Sequence, residues 1–151
     1  MKHEPSELTA HLGYWLRHVS NHVSQGFARK LTAHDVTIAE WAVMRVLLDR
    51  KPTSPSQLAN DMGMTRGAIT KLADRLLAKG LIDREASPDD GRSHTLRLTA
   101  QGADLVPKLA ALADENDAEC FAHLSDRDRS AMLRILKEAV TRLGLTAIPI
   151  D

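Results

Sequence analysis

Cysteine is nearly missing from this 151-residue sequence, where Cys120 stands alone. One thiol per chain can build neither an internal disulfide framework nor a cysteine-based zinc site, and such usage suits a reducing, cytoplasmic setting. Rings are almost as scarce: Tyr14, Trp15, Phe27, Trp41 and Phe121 are all there are. That is too few for the stacking platforms of a carbohydrate cleft or a single-strand nucleic-acid binder. No apolar run approaches the ~20 residues that cross a bilayer. The opening stretch, with Glu4, Pro5 and Glu7, has no apolar segment of the kind a secretory signal needs. Also absent are a Gly-x-Ser-x-Gly elbow, a phosphate-binding glycine loop and a recognisable Cys–His pairing, so nothing points to an enzyme. Neither a cofactor nor a metal is expected.

Net charge is missing too, because 20 Lys and Arg balance 20 Asp and Glu. The balance conceals an uneven distribution. Residues 64–80 carry Arg66, Lys71, Arg75 and Lys79 against Asp74 alone, a net of +3, whereas residues 99–151 hold six basic and nine acidic side chains, a net of −3. Contact with phosphates depends on local charge, so a short basic helix keeps nucleic acid in view. With 43% apolar residues the chain has ample material for a core.

Helix signals recur along the chain. Ser6 precedes a segment from Glu7 to about Leu31 whose apolar residues Leu8, Leu12, Trp15, Leu16, Val19, Val23 and Phe27 keep helical spacing. Thr37 and Glu40 form a capping box ahead of a nearly all-apolar helix from Ile38 to about Asp49, which belongs in the core. Ser54 and Gln57 read as a second box, with Pro55 at the first helical position and Gly63 at the end. Thr65 caps a helix from Arg66 to Lys79, with Gly80 behind it. Leu81 to Ala86 and His94 to Leu98 read as strands joined by the turn-rich run Ser87 to Ser93, a β-hairpin. Thr99 opens a helix to about His123, with Pro107 inside it, and Ser125 opens a last one to about Leu143. The fold class is therefore mainly α with a small hairpin, in the order α-α-α-α-β-β-α-α. Three regions are expected: 1–36, 37–99 and 100–151.

Residues 55–74 fit a helix-turn-helix. Ala59 allows a close helix crossing, Gly63 the sharp turn, and Leu58, Met62, Ile69 and Leu72 point inward. In such a unit the second helix enters the major groove of double-stranded DNA. Its outward residues are Thr65, Arg66, Gly67, Thr70, Lys71 and Arg75, hydroxyls and cations suited to phosphates and base edges, with Gly67 permitting close backbone approach. Ser54 and Gln57 on the preceding helix join this set. A hairpin directly after the reading helix makes a winged helix. Arg92 at its tip suits a narrow minor groove, and Asp90 is placed to hold the guanidinium. A winged helix that docks protein instead of DNA is the alternative.

The run Gly67 to Arg84 (GAITKLADRLLAKGLIDR), the tip Asp90-Gly-Arg92 and the stretch Leu96-Arg-Leu-Thr99-Ala-Gln-Gly102 together resemble the MarR family of bacterial transcription regulators. The resemblance spans essentially the whole chain. It implies a triangular homodimer interlocked through the first, fifth and sixth helices, with a winged helix from each subunit on a pseudo-palindromic operator. It also implies repression relieved by small phenolic or lipophilic effectors. The residues argue for a dimer independently: Leu133, Ile135, Leu136, Val140, Leu143 and the apolar residues of 145–150 exceed what residues 37–99 can cover.

His11, His18 and His22 fall within about 40° of one another on the first helix, beside Trp15. They could meet Trp41 in a pocket for an anionic aromatic effector, chelate zinc through i, i+4 imidazoles, or simply edge the apolar stripe. Members of the resembled family that sense peroxides carry a cysteine near the start of the first helix, where this sequence has none. Cys120, beside Glu119 and no cation, reads as a small apolar residue of the dimer interface.

Overall fold

The computed structural model describes residues 3–87 and 93–150. Among them are six α-helices and two strands: α1 (Leu12–Thr32), α2 (Ile38–Leu47), α3 (Pro55–Met62), α4 (Arg66–Ala78), β1 (Ile82–Ala86), β2 (His94–Leu98), α5 (Ala100–Phe121) and α6 (Asp126–Arg142). The mainly helical order and the hairpin agree with the sequence reading, and the helix ends shift by only one or two residues at most boundaries.

The caps explain why. Thr37 Oγ1 accepts from the Glu40 N–H at 3.1 Å while Glu40 Oε1 accepts from the Thr37 N–H at 3.0 Å, closing the box on both sides. Thr65, Thr99 and Ser125 each accept from the N–H three residues on. At Ser54 only half of the expected box exists. Its Oγ accepts from the Gln57 N–H, but the Gln57 side chain turns forward, its amide N–H donating to the Asp61 carboxylate at 2.7 Å in a charge-assisted bond stronger than accepting from the Ser54 N–H.

The start of α1 corrects the sequence reading. The helix begins at Leu12, not Glu7, and Ser6 caps nothing; residues 8–10 form a separate 3-10 turn. His11 has extended backbone (ψ 127°), and the Trp15 indole N–H donates to the Thr9 carbonyl at 3.0 Å, an arrangement that a continuous helix would prevent.

The core lies between α2, α3, α4, the hairpin and the first half of α5. Leu31, Val43, Met44, Leu58, Met62, Ile69, Leu76, Leu96 and Leu109 are fully buried there. The antiparallel strands pair Ile82 with Leu98, Arg84 with Leu96 and Ala86 with His94, and Thr53 bridges the outer side of Leu96. α1 packs along α5, and α5 runs unbroken through Pro107. α6 buries none of its residues. No described helix is long and apolar enough to cross a membrane.

Residues 145–150 do not behave as expected. Instead of adding to an unpaired surface, Ile148 and Ile150 pack on the chain's own core, and of the three large apolar side chains only that of Leu145 stays exposed.

Candidate nucleic-acid interface

The elbow between α3 and α4 sets the geometry of the site. Gly63 takes φ +65°, a conformation that costs an L-residue with a side chain, and this turns the chain sharply enough to cross the two helices. Leu58, Ala59, Met62, Ile69 and Leu72 are buried on the inner side, as their spacing predicts. With those faces inward, Thr65, Arg66, Gly67, Thr70, Lys71 and Arg75 are all exposed on one outward face of α4.

The electrostatics of this face differ from the sequence tally. Lys79 does not contribute to it. Its Nζ reaches back to the Asp35 carbonyl at 2.5 Å and to both carboxylate oxygens of Glu40, at 3.1 and 2.9 Å. Burial pushes the Glu40 carboxyl upward, but the Lys79 ammonium together with the Thr37 N–H and hydroxyl outweighs it and holds the group below the usual carboxylate range. Asp74, the one acid on α4, is paired with Arg84 at 3.2 Å. Arg66, Lys71 and Arg75 make no ion pair among the described residues, so their charge remains available to an incoming anion.

Two further details bear on what the face can accept. The Thr70 hydroxyl donates to the Arg66 carbonyl at 2.9 Å, which leaves Oγ1 presenting lone pairs outward. A Cβ on Gly67 would touch nothing within 4 Å in the chain. Packing among the described residues therefore does not require glycine there.

An open groove of about 410 Å³ runs between the N-terminus of α3, the outward face of α4 and the hairpin. It brings Ser54, Arg66 and Thr70 together with Ser56, Arg84, Ser93 and His94. The last four escaped the sequence reading. Strand register would have found two of them: Arg84 and His94 share a face with Ile82, Leu96 and Leu98, so they point toward α3 and α4 rather than away. Gln57 is exposed, but Asp61 already engages its amide; the Arg50 and Gln57 hydrogen bonds hold Asp61 below the usual carboxylate range. Asp90 and Arg92 lie outside the described residues. The hairpin's base is nonetheless closed, with the Ser87 N–H donating to the Ser93 carbonyl at 2.8 Å.

The candidate effector residues are only partly gathered. Tyr14 and His18 pack edge-to-face at 4.7 Å, Trp15 lies against both, and His11 and His18 line an open groove of about 430 Å³ with Arg17 and Asn21. His22 lines two other grooves, toward α5 and Cys120, and His18 shares one of them. Trp41 is separate: it meets Phe27 edge-on at 6.2 Å, at the rim of the core. Trp41 lines none of the grooves that hold His11, His18 and His22. Among the described residues, no group of three or more His, Cys, Asp or Glu side chains is gathered that could hold a metal.

Comparison with known proteins adds a consistent set of relatives. Residues 34–93 match the model of the MarR family. A protein of Thauera aromatica assigned to regulation of the hcr operon is 30% identical over 131 residues, covering 86% of this chain and 79% of that protein. The transcriptional repressor IacR of Pseudomonas putida is 27% identical over 124 residues, 82% of this chain and 74% of its own. The structure of Bordetella bronchiseptica BpsR, described with the regulation of its DNA binding by 6-hydroxynicotinic acid, superposes with a TM-score of 0.78 at 21% identity, over 90% of this chain and 97% of that one.

Proposed function

The chain belongs to the MarR family of transcription regulators, and on that premise we propose that it is a homodimeric repressor that sets two α4 helices into successive major grooves of one pseudo-palindromic operator. The observation that carries this reading is the outward face of α4: three cations with no ion pair among the described residues, two hydroxyls and a bare glycine on a helix whose opposite side is fixed in the core. Cations and hydroxyls supply phosphate contacts and base-edge hydrogen bonds, and Gly67 lets the backbone approach. Ser54, Gln57, Arg84 and His94 would flank the same strand across the groove, and Asp90 and Arg92 would serve the minor groove from the hairpin tip.

The second copy is supported by apolar surface that the chain leaves open. Leu12, Trp15, Leu16 and Val19 on α1 and Leu133, Ile135, Leu136 and Val140 on α6 are all at least 40% exposed. Exposed large apolar side chains in such number on two helices are what a partner surface would cover. In this arrangement residues 37–99 form the DNA-binding unit, and 1–36 with 100–151 form the dimer arms. The two-fold axis would separate the reading helices by about 34 Å, one DNA turn, or a multiple of it.

Relief of repression by a small aromatic or lipophilic effector is the remaining part. BpsR is regulated by such an acid, and the groove at His11, Tyr14, Arg17 and His18 offers rings and cations in the region where a partner's arm would close it. A ligand bound there would lower operator affinity by its differential binding to two helix separations, commonly ~1–3 kcal/mol. Such a regulator works in the cytoplasm. The test is a footprint on a duplex that the purified protein selects from a random pool. The expected result is two protected major-groove segments one turn apart and one dimer per duplex. Protection of a single segment, or no selection at all, refutes the reading.

A further inference from the structure

The elbow that aims α4 is covered from outside by a segment with no assigned role. α6 closes with Gly144 at φ +64°, its N–H on the Thr141 carbonyl and the Leu145 N–H on the Val140 carbonyl, which turns the chain back toward the body. Residues 145–150 then cross the α3–α4 turn. The Ile148 N–H donates to the Met62 carbonyl at 3.0 Å, satisfying one of the terminal carbonyls that α3 cannot bond internally. A Cβ on Gly63 would lie 2.6 Å from the Ala147 Cα and 3.1 Å from the Thr146 carbonyl oxygen, so backbone rests directly on the bare elbow. Ile148 and Ile150 anchor the segment against the core.

We propose that residues 145–150 are a positioning strap: seated on Met62 and Gly63, they fix the angle at which α4 is presented to DNA and tie that angle to α6. The inner side of the elbow is held by Leu58, Met62, Ile69 and Leu72, and the strap closes the outer side. Small changes matter at this hinge. α4 has 13 residues, about 20 Å, so a 10° tilt about the elbow moves its far end by about 3 Å, a full hydrogen-bond length. No residue of α6 is fully buried in its own chain, so the strap, covalently continuous with α6 and hydrogen-bonded to the elbow, is the short connection from that arm to the base of α4. The inference rests on the DNA-binding reading above.

The test uses two variants of the full protein, Ile148→Pro, which removes the donor, and removal of residues 145–151, with Ile148→Val as the conservative control. Each is titrated with a duplex selected from a random pool by the wild type and with a scrambled duplex of equal length in the same salt. The strap predicts about a tenfold loss on the selected duplex, less than about twofold on the scrambled one, and wild-type behaviour for Ile148→Val. It also predicts faster hydrogen exchange at the Gly63 and Met64 amides in both variants. Unchanged binding to both duplexes, or an equal loss on both, overturns the proposal, as does failure of both variants to fold, which would make the segment simply part of the core. If the wild type selects no duplex, the DNA-binding reading itself has failed, which the wild-type arm alone reveals.

Discussion

Gly67 separates what stabilises the molecule from what the molecule is for. A glycine inside an exposed helix costs about 1 kcal/mol relative to alanine, and nothing in the chain would obstruct a Cβ there. Gly67→Ala is therefore expected to raise stability by up to about 1 kcal/mol in thermal unfolding while weakening operator binding in a titration; a variant that gains stability and binds DNA unchanged would remove Gly67 from the interface. Glu40 shows the opposite economy. Its buried carboxylate is kept ionised by Lys79 and Thr37, and it is lowered from an ordinary value of 4.5. The stability it contributes is present above that value and is lost as pH falls through its lower folded value. Lys79→Met strands the charge, and a loss of about 3 kcal/mol in denaturant unfolding is expected. In that variant Glu40's share of the acid-side loss should shrink or reverse, because burial without the ammonium favours the protonated carboxyl and acidification then relieves the stranded charge.

At the scale of elements, the joint between hairpin and α5 is equally specific. The Thr99 hydroxyl accepts from the Gly102 N–H and donates to the Gly80 carbonyl at 2.7 Å, while a Cβ on Gly102 would fall 2.0 Å from the Leu81 carbonyl oxygen. Only glycine lets the first turn of α5 pass that close to the start of the hairpin. Gly102→Ala should cost about 1–3 kcal/mol, read by denaturant unfolding, and should weaken DNA binding through a displaced hairpin; a change below about 0.5 kcal/mol would contradict the joint. Elements of this kind could be read from the sequence because their causes are local. Thr37–Glu40, Thr65, Gly63 and Thr99 announce caps and turns within four residues. The start of α1 could not be read that way: Leu8 continues the apolar spacing, and what interrupts the helix is the Trp15 indole on the Thr9 carbonyl. Lys79, Arg84 and His94 were likewise misplaced or missed because their roles depend on which neighbour folding brings beside them. The outward face of α4, in contrast, followed directly from helical spacing.

Across the whole molecule the unresolved quantity in the sequence was ownership of apolar surface. Periodicity marks Leu133, Leu136, Ile148 and Ile150 alike as apolar, yet folding assigns the last two to the chain's own core and leaves the first two exposed at 53% and 40%. If that exposed face holds a second copy, the double variant Leu133→Asp, Leu136→Asp should sediment as a monomer and lose operator binding, with its secondary structure intact by circular dichroism. A variant that stays dimeric would place the interface elsewhere. The central claim is that Arg66, Lys71 and Arg75 of α4 bind duplex DNA. Its most direct test is the salt dependence of binding to a selected duplex by the wild type and by the triple variant Arg66→Ala, Lys71→Ala, Arg75→Ala. Each phosphate contact adds about 0.9 to the slope of log K against log salt. The account predicts a steep slope for the wild type and, for the triple variant, a slope shallower by several units with weaker binding at every salt concentration; equal affinity and equal slope in the two proteins would contradict it.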